Sequence, residues 1–150
     1  MKPKAPSPTA KAAAAFVGPV YLRFGRDVYP VVPEIHGDFT IGRAKVLREG
    51  DDVALVTTGI MVSEGLRAAE DLRARGHCAR VIHVPTVKPL DEAVLLDAAR
   101  QTRGLVTVEE HSILGGFERL SLELLAKTIE FEDHGTKNTI SKGLGRARSR

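Results

Sequence analysis

Glu109, Glu110 and His111 form the densest cluster of ionisable side chains in this 150-residue chain, directly after the apolar run 105–108. Adjacent residues of an extended chain point to opposite faces, so the two glutamates do not make a paired acid and base. His111 carries the side chain suited to moving a proton near neutral pH; it equally suits a bridge to a loop carboxylate. Arg23 and Arg26 bracket the end of a second apolar run, residues 20–24. Their planar guanidinium forks suit a phosphate or carboxylate, and both also read as ordinary surface arginines. Gly59 stands between a predicted strand and helix, where backbone N–H groups could hold an anion, but the multi-glycine phosphate fingerprints are absent and a plain turn accounts for it. Ser112 lacks the G-x-S-x-G context of a nucleophile elbow. Nothing near Cys78 in the sequence lowers a thiol pKa. His36, His77, His83 and His134 show no metal-ligand spacing, and His83, inside an apolar run, reads as a packed residue.

The elements that must position these residues follow from hydrophobic period. Residues 53–57 (VALVT) are nearly continuously apolar, as in a strand buried on both faces. Val62, Gly65, Leu66, Ala69 and Leu72 recur at helical spacing, and Gly76 stands where a C-terminal glycine cap belongs. A strand over 79–84 stops at Pro85. Asp91 is placed to cap the next helix, with Leu90 packing on Leu95 as a hydrophobic staple; Val94, Leu95, Ala98 and Ala99 form its apolar face. Residues 105–108 are the next strand. Gly115 and Gly116 open a helix with Phe117, Leu120, Leu124 and Leu125 on one side. This β-α-β-α-β-α order predicts an α/β fold of three layers with a mostly parallel sheet and right-handed crossovers. Ligands of such sheets bind beyond the carboxyl ends of the strands, here Thr58-Gly59, residues 85–88 and residues 109–111. Two shorter strands are expected earlier, over 20–24 and 41–47. Residues 1–15, rich in alanine, proline and lysine, are expected to be disordered. No strand pattern follows residue 127, so the sheet is expected to lack its last strand.

Charge is unevenly spread. All 19 acidic residues lie within 18–136, against 14 basic ones, while residues 1–17 and 137–150 carry only basic charge. A nucleic-acid-binding domain carries its basic patch on a structured face, often with aromatics for stacking. Here the dense basic run is an aromatic-free terminal stretch, so no specific nucleic-acid partner is expected. One cysteine excludes an internal disulfide and a multi-cysteine zinc site. No apolar run approaches the roughly 20 residues that span a bilayer, and a cytoplasmic location with no membrane partner is the default expectation.

Several stretches carry a family resemblance. Residues 18–26 (GPVYLRFGR) resemble the strand that closes the pyrimidine-binding domain of transketolases and deoxyxylulose-phosphate synthases. Residues 39–44 (FTIGRA), 47–53 (LREGDDV) and 57–64 (TTGIMVSE) resemble the opening of their C-terminal domain. Residues 87–92 (VKPLDE) and 106–116 (VTVEEHSILGG) are the most specific pieces, in the same order and spacing. The nearest likeness is to the split transketolase type, whose C-terminal subunit is a separate chain. After the double glycine this chain has Phe117-Glu118-Arg119 where the family has another glycine and small residues, and no Pro-Val-Pro-Val strand follows.

The resemblance implies a division into a disordered tail (1–17), the end of a pyrimidine-binding domain plus linker (18–38), a transketolase C-terminal domain (39–127) and an irregular basic tail (128–150). It implies ketol transfer between sugar phosphates by an enzyme that uses thiamine diphosphate and magnesium, both held on other domains; this chain is expected to hold no cofactor or metal and no catalytic residue. Arg26 aligns with an arginine that contacts the substrate phosphate, and His111 occupies a recurrent position; these two are the candidate substrate-binding residues. The expected partners are a cofactor-binding transketolase subunit, in a homo- or hetero-oligomer, and a sugar phosphate bound in that assembly. A non-catalytic interaction module and a defective truncated fragment are the rival readings.

Overall fold

The computed structural model describes residues 7–25, 29–35, 37, 39–111 and 116–128. Among these residues four strands and four α-helices run in the order α1 (Pro8–Ala15), β1 (Lys45–Arg48), β2 (Val53–Thr57), α2 (Val62–Ala74), β3 (Ala79–His83), α3 (Glu92–Gln101), β4 (Leu105–Val108) and α4 (Phe117–Thr128). The sheet order is β1-β3-β2-β4. β2 pairs in parallel with β3 on one side, Val53 opposite Ala79, and with β4 on the other, Ala54 opposite Leu105. β1 runs antiparallel along β3, with Lys45 opposite His83, so the sheet is mixed at that edge.

The alternation of side chains along β2 and β3 builds two cores, one on each face. On one face Ala54, Val56, Ile82 and Val84 pack with Leu95 and Ala98 of α3 and Phe117 of α4. On the other, Leu55, Ala79 and Val81 pack with Ala69 of α2, flanked by Leu66 and Leu72. Helices thus cover both faces of the central strands, which is why those strands read as continuous apolar runs. Leu90 packs against the cluster that holds Leu95, as the staple requires. In α4 the buried side is Phe117 and Ser121, with Leu124 packed on the same core. Leu120, grouped with them by spacing, lies at the margin of that face and is exposed.

Gly76 ends α2 as expected. Its φ is +84°, in the left-handed region that favours glycine. Its N–H donates to the Arg73 carbonyl at 3.0 Å, and the His77 N–H donates to the Leu72 carbonyl at 3.0 Å. These are the two bonds of a Schellman cap.

Three early expectations are revised. Within the alanine-rich stretch, Pro8–Ala15 is helical: Ser7 Oγ accepts the Ala10 N–H at 3.2 Å, Pro8 occupies the first turn, and alanine has the highest helix propensity. The apolar run 20–24 forms no strand. Tyr21 and Phe24 are 89% and 69% exposed; a strand needs a hydrogen-bonded neighbour, and none pairs with this run among the described residues. The strand placed over 41–47 starts later, at Lys45, because residues 41–42 form a turn in which Gly42 has φ +76°.

Candidate functional site

β4 delivers Glu109, Glu110 and His111 to the carboxyl edge of the sheet, and the three residues part company there. Glu109 turns inward: its Oε2 accepts the Phe117 N–H at 2.7 Å. It thereby satisfies one of the orphan donors at the start of α4 and places negative charge at the positive end of the helix dipole. Gly116 is pressed against this carboxylate; a Cβ there would meet Oε2 at 2.5 Å. Glu110 and His111 are exposed. Arg23 reaches back to Glu110 across 87 residues of sequence. Its Nη2 donates to the Glu110 carbonyl at 3.3 Å and lies 3.7 Å from Glu110 Oε2, with both side chains 61% exposed. A pair this exposed contributes at most about 1 kcal/mol; its consequence is placement, since it fastens the segment before Arg26 to the edge that carries His111. Arg26 itself lies outside the described residues, as do Ser112, His36 and His134.

Gly59 lies at the carboxyl end of β2 with φ +58°, and no atom stands within 4 Å of where its Cβ would be. The left-handed turn, rather than a close approach, explains the glycine. His83 is buried, and burial alone pushes its pKa down to about 4, because desolvation disfavours the imidazolium. Its Nδ1 has no hydrogen-bond partner among the described residues. Thr57, fully buried on the same strand layer, donates from Oγ1 to the Ile82 carbonyl at 3.0 Å.

Two polar positions were not visible from spacing. Asp91 does not cap α3 through its side chain. Its buried carboxylate instead accepts the Ala44 N–H at 3.0 Å, tying the entry of β1 to the start of α3. Arg80, buried in β3, donates to Gln101 Oε1 at 2.6 Å and Asp97 Oδ2 at 3.3 Å, and pairs with Glu49 Oε2 at 3.1 Å. An arginine inside an apolar strand was the only signal for this cluster. It holds α3 and the β1–β2 turn to the sheet.

The described residues do not offer a ligand set suited to magnesium. The one grouping of possible metal ligands among them is Asp51, Asp52 and Cys78. It sits at the amino ends of β2 and β3, away from the edge that carries His111. Asp52 Oδ2 already accepts the Cys78 N–H at 2.7 Å, and Oδ1 faces Arg103 at 3.9 Å. Magnesium takes oxygen ligands in near-octahedral array, typically one or two protein carboxylates together with phosphate oxygens and waters; a thiol in the set is a poor ligand for it. No helix among the described residues is long and apolar enough to cross a membrane.

The family model described as the transketolase C-terminal domain matches residues 42–139. An uncharacterized transketolase family protein of Sinorhizobium fredii is 49% identical over 121 residues, covering 79% of this chain and 35% of that protein. A 6-deoxy-6-sulfo-D-fructose transketolase subunit of a Clostridium species is 41% identical over 128 residues, covering 81% of this chain and 40% of the relative. A solved structure of a split gene transketolase, in an inactive β4 tetramer, superposes with a TM-score of 0.74 at 43% identity, over 80% of this chain and 40% of the other. The chain therefore spans well under half the length of these relatives. The four-stranded mixed sheet flanked by helices matches the fold of that solved structure, and the family model spans most of the described core: this chain belongs to the transketolase C-terminal domain family.

Proposed function

We propose that the chain is the C-terminal domain of a thiamine-diphosphate-dependent transketolase-type enzyme, supporting assembly and substrate-phosphate binding and not catalytic by itself. The observation that carries this reading is the fold shared, at 43% identity, with a split gene transketolase whose β4 tetramer is inactive. The relative that is named a transketolase subunit supports it further. On this reading residues 39–127 are the domain proper, 18–38 are the end of a neighbouring pyrimidine-binding domain with its linker, and the assembly works in the cytoplasm.

Within that assembly this chain's own residues act by binding. Arg26 holds the substrate phosphate through its guanidinium fork. His111, at the sheet edge to which Arg23 is fastened, lines the same approach. No step of ketol transfer is assigned to the chain. In an enzyme assembled with the cofactor-binding domains, Arg26→Ala raises the apparent KM for phosphorylated acceptors more than for unphosphorylated ones. The difference corresponds to roughly 1.5–3 kcal/mol for a charged hydrogen bond. An equal effect on both acceptors refutes the phosphate role.

A further inference from the structure

A cavity of about 480 Å³ opens where the segment before β1 crosses the end of β3, with the first turn of α1 as one wall. Its volume lies within the usual range for small-molecule sites, which are mostly apolar with a few convergent polar groups. Val32, Ile35 and Pro85 supply apolar wall. The ionisable residues that line it are Arg43, Lys45 and His83, and no acidic residue is among the lining residues described. Lys45 and His83 are cross-strand neighbours, Lys45 of β1 facing His83 of β3, so their side chains share one face of the sheet. The N-terminus of α1, whose first turn holds no acidic residue, adds the positive end of a short helix dipole. His83 brings a buried Nδ1 with no partner among the described residues. That atom is closed to solvent, so the His83 ring bounds the cavity without offering Nδ1 to a guest.

We infer that this cavity binds a small organic anion: a compact apolar body against Val32, Ile35 and Pro85, and a carboxylate or phosphate head against Arg43 and Lys45. Arg43 is 73% exposed, and Nη1 lies 4.0 Å from Asp91 Oδ2, the limit of an ion pair; its guanidinium retains donors for a second anion. Neither Arg23, Glu110 nor His111 lines the cavity. Its polar lining is thus distinct from Arg23, Glu110 and His111, although both groups lie at the carboxyl side of the sheet, and the inference does not rest on a transketolase role.

Titration of the full chain tests this, with phenyl phosphate and phenylacetate as probes, inorganic phosphate as the head without a body, and benzyl alcohol as a body without charge. Saturable binding is expected for phenyl phosphate or phenylacetate, the tighter of the two identifying the head group. Inorganic phosphate and benzyl alcohol should bind at least about tenfold more weakly. Arg43→Gln and Lys45→Gln should each weaken binding about tenfold, about 1.4 kcal/mol, while Arg67→Gln on the exposed side of α2 leaves it unchanged. Both tested side chains are exposed, so unaltered circular dichroism melting curves verify that the fold persists. Amide shifts should concentrate at residues 43–45 and 83. Three results overturn the inference: no saturable binding of either anion, equal binding of benzyl alcohol, or binding indifferent to both substitutions.

Discussion

The Glu109 carboxylate accepts the Phe117 N–H at 2.7 Å, so a residue at the carboxyl end of β4 serves as the cap of α4. A Cβ on Gly116 would meet Glu109 Oε2 at 2.5 Å, so the carboxylate would have to shift away from that bond. Glu109→Ala is expected to cost about 1 kcal/mol, the usual loss of a cap. Gly116→Ala should cost a similar amount by displacing the carboxylate. The two losses share one bond, so the double variant should be little worse than either single one. Urea denaturation of the three variants checks this; fully additive losses would separate Gly116 from the cap.

A second close approach joins α2 to β2. A Cβ on Gly65 would collide with Thr57 Cγ2, and Thr57 is fully buried. Gly65→Ala is expected to destabilise the fold by about 1–3 kcal/mol through overpacking. Thr57→Ser removes Cγ2 and keeps the hydroxyl that donates to the Ile82 carbonyl. Combining it with Gly65→Ala should therefore recover part of the loss, giving a favourable coupling in a double-mutant cycle. No coupling would show that the helix accommodates the methyl elsewhere.

Stability should fall with acid through His83. Its pKa is about 4 in the folded chain, below the ordinary 6.5. Between those values the unfolded chain binds more protons, so stability rises with pH across that window. The contribution is fully present above about pH 6.5 and lost as pH falls to about 4. A shift of this size corresponds to about 3 kcal/mol at most. Denaturant unfolding at pH 7 and pH 4.5 should show the drop, and His83→Gln should flatten it. An unchanged slope in that variant would assign the acid sensitivity to other groups.

What the sequence disclosed follows from which contacts are local. The strand 53–57 and the glycine cap at Gly76 were legible because period and backbone conformation are written within a few residues. Asp91 was read as a cap because it precedes a helix, yet its partner is Ala44, 47 residues away. Glu109 was read with His111 as a chemical cluster, and only the folded turn reveals that it belongs to α4. The run 20–24 has strand composition without a neighbour to pair with. The antiparallel course of β1 along β3 depends on the path of residues 29–44, which no periodicity encodes. The link between Arg23 and Glu110 likewise joins segments that spacing cannot relate.

A ketol-transfer assay tests the proposed role most directly, run with the purified chain alone and mixed with separately produced chains supplying the diphosphate-binding and pyrimidine-binding domains, in thiamine diphosphate and magnesium. The expected result is no transfer by the chain alone, and transfer in the mixture that depends on adding it. Turnover by the chain alone, or a mixture equally active without it, would contradict the proposed role.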